Sequence, residues 1–349
     1  MISLRQRSTI SQWAYQLIRT LSLSTVRCIS GKEILNKVDS YSRIKVKCNY
    51  NLKIVPYDLL DCPDSNLLKI IVPNTDREPE VKISGKDVSI VDSGDAPVSC
   101  FLQIPIKADL AVENLGNTTI SELYSDTVYV QSGGNIDTKN LRCTGINVRS
   151  NGGDISCRGT TLAQTVSVLT GGEGKILLEK LQGDVFEAES NLGSITVNSS
   201  YSNSASFKTS QGDLLLKNVH KSCTVLSEGS GKLVMNGFYG TLQVEVGSRE
   251  VSLQLSEIHG QSKVIAKAAK DFCLAVSENV IENAKVFVNS ELLELEPELD
   301  GTQISTKSVD SLGVEAQSTE NTLQICSGGL VRVKKMSWMD TFGFSVEKD

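Results

Sequence analysis

Hydrophobic and polar positions alternate along most of this chain, and the alternation recurs at a fixed interval. Between Val128 and Leu253, a glycine is followed two residues later by Ile or Leu six times, and successive glycines lie 19, 21, 19, 19 and 19 residues apart. Such an interval is typical of a unit that buries its apolar face only by stacking on copies of itself. The pattern predicts an all-β, single-stranded parallel β-helix (β-solenoid) with about 19–20 residues per turn, right-handed by the usual crossover preference and capped at both ends.

Two ladders are predicted along this stack. Because glycine adopts a positive φ at little cost, we expect the glycines to mark corners that need one. The residue after each glycine varies between acid, base and amide, which predicts a solvated ladder. The predicted turn glycines are Gly116, Gly134, Gly153, Gly174, Gly193, Gly212 and Gly231, and the predicted core ladder is Ile120, Ile136, Ile155, Ile176, Ile195, Leu214 and Leu233.

The pattern divides the chain into four segments. Residues 1–30 contain Arg5, Arg7, Arg19 and Arg27 and no acidic residue, a composition typical of a mitochondrial transit peptide. This predicts a protein of the mitochondrial matrix; the alternative is an exposed amphipathic helix or a tail on a cytoplasmic protein. Residues 40–109 are predicted to form N-terminal β layers or a cap, 110–298 the solenoid repeats, and 299–349 a C-terminal cap.

Composition narrows the classes of partner. The net charge is −6, and no cluster of Lys and Arg interleaved with aromatic residues occurs, which argues against nucleic acid. The sequence contains no run of 18 apolar residues, the length that would predict a membrane-spanning helix. The nine cysteines show neither CxxC pairs nor zinc spacing, so we expect reduced core thiols and no metal.

Candidate catalytic residues are few and widely spaced. Asp154 and Asp213 are predicted to lie three turns apart, roughly 14 Å at the usual strand spacing, which is too far for a catalytic pair. His220 and His259 are predicted to be turn residues on one face, roughly 10 Å apart and unable to share a metal. The glycine-rich stretches 171–175 and 227–232 lack phosphate-loop spacing. No catalytic, cofactor or metal residue is therefore predicted.

One stretch carries a family resemblance. Ile104-Pro105-Ile106-Lys107-Ala108-Asp109-Leu110, followed by the serial G-x-I/L turns, resembles the bacterial putative-adhesin family over roughly residues 40–300, and a vertebrate protein shares the likeness. The resemblance implies a parallel β-helix fold and attachment at bacterial surfaces, and it supplies no catalytic residues. The transit-like N-terminus departs from a bacterial surface role.

These observations favour a non-enzymatic binding or scaffold protein of the mitochondrion that uses an extended solenoid face to bind a protein partner or a glycan. The alternative is a β-helix hydrolase or lyase acting on a glycan. Such an enzyme needs a groove where several charged side chains converge on one bond. A flat ladder of mixed side chains favours binding instead.

Overall fold

The computed structural model describes residues 31–336, except 59, 61–62, 74–77, 93–98, 301, 303 and 307–320. Within these ranges the chain is nearly all strand, and its turns pair in parallel one upon the next. The predicted all-β solenoid is therefore confirmed. The transit-like segment 1–30 and the last part of the predicted C-terminal cap, with Trp338, lie outside the described residues.

The regular part of the stack consists of long strands that each cover a whole turn. Most residues pair with one about 19 positions later, as Ile136 does with Ile155 and Ile195 with Leu214. Shorter strands β8 to β10 lead into these turns, and β17 follows them. The bounds are β8 (Asp109–Asn114), β9 (Thr118–Ser121), β10 (Tyr124–Ser132), β11 (Ile136–Ser150), β12 (Ile155–Thr170), β13 (Ile176–Ser190), β14 (Ile195–Thr209), β15 (Leu214–Ser227), β16 (Leu233–Val246) and β17 (Glu250–Ile258).

The core is the set of inward positions of this alternation. All seven residues of the predicted core ladder are buried. Six of them, from Ile136 to Leu233, pair in one column, whereas Ile120 lies in the neighbouring column, opposite Thr138. The residue opposite Ile136 is Thr118. Burial of each such aliphatic side chain stabilises the fold by about 1.5–3 kcal/mol.

The turn glycines have a different role from the one predicted. None has a positive φ. A Cβ on Gly212 would instead lie 1.9 Å from the carbonyl oxygen of Gly193, and a Cβ on Gly193 the same distance from that of Gly174. The predicted need for positive φ is therefore wrong: glycine is required because consecutive turns approach too closely for a side chain. Positive φ occurs at other positions, such as Asn140 and Asn218 inside the long strands and Gly172 in the turn before Gly174.

A buried hydroxyl ladder lies next to the glycines. The Thr209 Oγ1 donates a hydrogen bond to the carbonyl oxygen of Gly193 (3.1 Å) and accepts one from the backbone N–H of Gly212 (3.0 Å). These bonds satisfy backbone groups that the turn would otherwise bury unpaired. The hydroxyls that bond the preceding turn's glycine carbonyl in the same way are Ser132, Ser150, Thr170, Ser190 and Thr209.

The residues after the glycines form a second hydrogen-bonded ladder. Asp154 Oδ1 accepts from the backbone N–H of Lys175 at 2.8 Å, and Asp213 Oδ1 accepts from that of Lys232 at 2.7 Å. Asn135 Oδ1 accepts from Asp154 N in the same manner, at 2.9 Å. The predicted solvated ladder is thus partly structural, because the side-chain oxygens of Asn135, Asp154 and Asp213 each join one turn to the next.

The N-terminal end departs from sequential stacking. Strand β2 lies between β6 and β8, and β3 lies between β7 and β9, so the turn at 43–56 is already part of the parallel stack. Antiparallel pairs β1–β4, β4–β7 and β5–β6 cover its edge, which limits open strand pairing. The bounds are β1 (Gly31–Lys37), β2 (Arg43–Cys48), β3 (Asn51–Pro56), β4 (Leu67–Pro73), β5 (Glu80–Ser84), β6 (Asp87–Val91) and β7 (Ser99–Ile104).

The C-terminal end contains a similar insertion. Strands β23 and β24 pair in parallel between the turn β18–β19 and the turn β20–β21. Residues 321–335, which the sequence assigned to a cap, therefore form a solenoid turn, and the stack exceeds 110–298 at both ends. The bounds are β18 (Gln261–Ala266), β19 (Asp271–Val276), α1 (Glu278–Asn283), β20 (Ala284–Asn289), β21 (Leu292–Leu295), a 3-10 turn (Pro297–Leu299), β22 (Ile304–Thr306), β23 (Asn321–Ser327) and β24 (Leu330–Lys335).

Candidate functional site

One column of outward side chains follows the bend of successive turns. Strand pairing places neighbouring residues of this column next to each other, one per turn, except at Tyr201 and His220, where the register shifts and ring stacking joins the two. The column has six steps, which is roughly 29 Å at the usual strand spacing. We call it the corner strip, and it consists of Tyr124, Arg142, Leu162, Gln182, Tyr201, His220 and Tyr239.

The C-terminal half of the corner strip is an aromatic stack. The His220 ring lies 4.6 Å from that of Tyr201 and 4.7 Å from that of Tyr239, measured between ring centroids, and is nearly parallel to the Tyr239 ring. Partial burial lowers the pKa of His220. The imidazole therefore resists protonation, and the stack presents ring edges and polar tips to solvent.

At the N-terminal end of the strip, Tyr124 and Arg142 lie beside Tyr41 and Lys107, which are outside the strip. We call these four residues the tyrosine–cation cluster. The guanidinium carbon of Arg142 lies 5.2 Å from the Tyr124 ring centroid, and Lys107 Nζ lies 5.1 Å from that of Tyr41. Lys107 Nζ also donates to the Tyr41 hydroxyl at 2.9 Å, which raises the pKa of Lys107. These four residues line a cavity of about 410 Å³, with Asp126 and Leu162 in its wall.

A larger groove of about 490 Å³ lies outside the strip, on strands β2, β5, β6, β8 and β10. Its charged residues already form ion pairs or hydrogen bonds within the chain. Arg43 makes two contacts of 2.7 and 2.8 Å with Asp87, and Lys45 pairs with Glu113 at 2.9 Å. Asp109 accepts from the backbone N–H of Thr127. This groove therefore offers no carboxylate pair free for acid and base roles.

The remaining sequence-predicted candidates do not converge. Asp154 and Asp213 each hold a backbone N–H of the next turn. His220 lies in β15 at the bend that the corner strip follows, between Asn218 and Lys221, which have positive φ. His259 follows β17, with His259 Nε2 and Glu257 Oε1 2.8 Å apart. Within the described ranges, no group of three His, Cys, Asp or Glu residues could hold a metal ion.

The thiols are structural. The seven cysteines in the described part of the chain are free. Burial raises the pKa of Cys157 to about 11 and that of Cys100 to about 12. A thiol held neutral in this way is a poor nucleophile. Among helices in these same ranges, none is long and apolar enough to cross a membrane.

The corner strip was missed by the sequence reasoning, although its signal was present. Tyr201, His220 and Tyr239 are spaced by 19 residues, the interval of the glycines themselves. Outward positions were examined only in the column after each glycine, whereas stacking places every position of a turn in a column. Applying the period to aromatic residues finds the stack directly.

Comparisons with known proteins identify structures of similar extent. No family model matches the sequence. A putative adhesin from Bacteroides fragilis is 14% identical, with 88% of this chain and 99% of that chain covered and a TM-score of 0.36. Another from Parabacteroides merdae is 10% identical, with 87% and 95% covered and a TM-score of 0.39. At these values the likeness gives no information about the partner.

Proposed function

We propose that this chain is a non-enzymatic protein-binding scaffold whose contact surface is the corner strip. The observation that carries the proposal is the strip's composition: four aromatic rings, an arginine and an exposed leucine in one continuous column. Tyrosine and arginine are enriched in protein interfaces and their hot spots. The rigid stack holds these side chains in place before binding, which lowers the ordering cost of association.

The exposure of the strip supports contact with a partner. Leu162, Tyr124 and Tyr201 are 39%, 41% and 44% exposed. Stacked rings already contact their neighbours within the strip, so only their edges remain to be covered. An extended segment running along the roughly 29 Å of the strip fits this geometry.

The glycan-active enzyme gains no support from the same surface. Such enzymes use two carboxyl groups that flank one bond. Asp87 and Asp109, the carboxylates that line the groove of about 490 Å³, instead bind Arg43 and the backbone N–H of Thr127. A glycan as a simple ligand of the strip is an outcome that the experiment below distinguishes.

We also propose that the protein works in the mitochondrial matrix. The support is the composition of residues 1–30, which contain four arginines, many Ser and Thr, and no acidic residue, as is typical of a mitochondrial transit peptide. A fluorescent protein that carries residues 1–35 at its N-terminus is expected to enter mitochondria. Diffuse cytoplasmic fluorescence would refute this location without affecting the proposal that the corner strip binds a protein.

Site-specific photocrosslinking tests the binding surface. A photoreactive residue replaces Leu162 in the strip or, as the control, Leu226, which is similarly exposed at 37% and lies outside the strip. We expect a discrete crosslinked protein in cells from position 162 and none from position 226. Equal crosslinking from both positions, or crosslinks to carbohydrate only, would contradict a protein-binding strip.

A further inference from the structure

We propose that the tyrosine–cation cluster binds carboxylate side chains of an acidic segment in the protein partner. This inference rests on the proposed binding role of the corner strip and names the chemistry recognised at its N-terminal end. Three observations carry it: the two cations have no carboxylate partner among the described residues, the cluster lines an open cavity, and its rings hold those cations in defined positions.

The cations of the cluster differ in their pairing from several other arginines of the chain. Arg43, Arg158 and Arg332 each bind a carboxylate of the chain. Neither Arg142 nor Lys107 has such a partner among the described residues: their contacts are with Tyr124 and Tyr41, respectively, and Asp126, in the wall of the same cavity, pairs with neither of them. In a chain with a net charge of −6, two unpaired cations in one cavity are a local site for an anionic group.

The third cation of this region is less available. Lys86 Nζ lies 5.9 Å from the centroid of the Tyr41 ring and 4.0 Å from Asp39 Oδ1. A carboxylate of the chain therefore already offsets its charge. The site proposed here consequently rests on Lys107 and Arg142, with Tyr41 and Tyr124 as their supports.

The geometry suits a carboxylate. Arginine presents a planar fork of donors that matches the two carboxylate oxygens, and stacking on Tyr124 restricts the orientations of that fork. Lys107 Nζ uses one donor on the Tyr41 hydroxyl and retains two more. The cavity volume of about 410 Å³ accommodates a few side chains.

The neighbouring strip favours a polypeptide over a phosphate polymer. Leu162 forms an apolar wall of the cavity, and Gln182 follows it in the next turn. An acidic protein segment supplies apolar side chains and backbone amides for these two residues. A nucleic acid or polyphosphate chain needs a longer basic track than two cations on an acidic protein.

The test measures binding of a fluorescent hexaglutamate peptide to the full chain at low ionic strength. Arg142→Gln and Lys107→Gln should each weaken binding at least tenfold, which corresponds to about 1.4 kcal/mol. The control is Arg149→Gln, which removes the same charge from an exposed arginine outside the strip and should change binding less than twofold. The melting temperature of each variant is measured, and binding is compared only between variants that melt like the wild type, so that unfolding does not account for a loss of binding.

Two results would overturn the inference. The first is equal weakening by Arg149→Gln and Arg142→Gln, which would mean that the peptide senses net charge alone. The second is binding of inorganic polyphosphate at concentrations where hexaglutamate does not bind. If crosslinking from position 162 still captures a protein in either case, the binding role of the strip stands and only its acidic specificity is lost.

Discussion

Replacing a single glycine of the turn ladder by alanine should destabilise the protein far more than the size of a methyl group suggests. At Gly212 the new Cβ would lie 1.9 Å from the carbonyl oxygen of Gly193. Ordinary van der Waals contact of a Cβ begins at 3.4 Å, so the two turns must separate locally by more than 1 Å. Overpacking of this kind typically costs about 1–3 kcal/mol.

The separation also weakens hydrogen bonds. Thr209 Oγ1 bridges the carbonyl oxygen of Gly193 and the N–H of Gly212, and each of these bonds contributes about 1 kcal/mol to stability. We therefore expect Gly212→Ala to lower the free energy of unfolding by about 3 kcal/mol or more. We expect a lower midpoint of urea unfolding, measured by far-UV circular dichroism.

Gly145 provides the matched control. A Cβ there meets only Thr165 Oγ1, at 3.6 Å, which is ordinary contact. Because glycine inside a strand is about 0.5–1 kcal/mol less favourable than alanine, Gly145→Ala should leave stability unchanged or raise it. If the two variants unfold at the same urea concentration, close approach of the turns is not the reason for the glycines.

Three further predictions follow from the core, the hydroxyl ladder and the aromatic stack. Ile195→Asp places a charge in the stacked core and should abolish cooperative melting; a melting temperature like that of the wild type would refute the inward assignment. Thr209→Val leaves a buried N–H and a carbonyl without their hydroxyl partner and should cost about 1–3 kcal/mol, whereas Thr209→Ser should retain most of the stability. Burial lowers the pKa of His220, so the folded protein is most stable above the unfolded-state pKa of about 6.5 and loses stability as the pH drops below it. The urea midpoint, measured as a function of pH, should fall less steeply in His220→Gln than in the wild type. An equal dependence of the midpoint on pH in both proteins would contradict this.

The solenoid fold could be predicted from the sequence because the period of the apolar residues appears directly in the chain. Ile136 and Ile155 are adjacent in the structure for the same reason that they are 19 residues apart in the sequence. The chemistry of the turn was harder to predict. A glycine required for close approach cannot be distinguished from one required for positive φ without knowing which backbone atoms face it, and at Gly212 these belong to Gly193.

The two ends of the stack were also beyond sequence reasoning. Strands β23 and β24 insert between turns that precede them in the chain, and strand alternation specifies a pairing face without specifying the neighbour. Predicting the corner strip requires both the sequence period and the stacking of the turns. Its aromatic residues could be found by period, whereas the absence of a carboxylate partner for Arg142 among the described residues becomes visible only when the turns are stacked.

The affinity of the partner captured by crosslinking tests the central claim most directly. The strip variant Tyr124→Ser with Arg142→Gln removes a ring and a charge from the corner strip, and the control Tyr129→Ser with Arg149→Gln makes the same two changes on β10 and β11 outside it. The account predicts at least a tenfold larger Kd for the strip variant, or about 1.4 kcal/mol, and a Kd close to that of the wild type for the control. A loss confined to the control variant, or shared equally by both, would contradict binding through the corner strip.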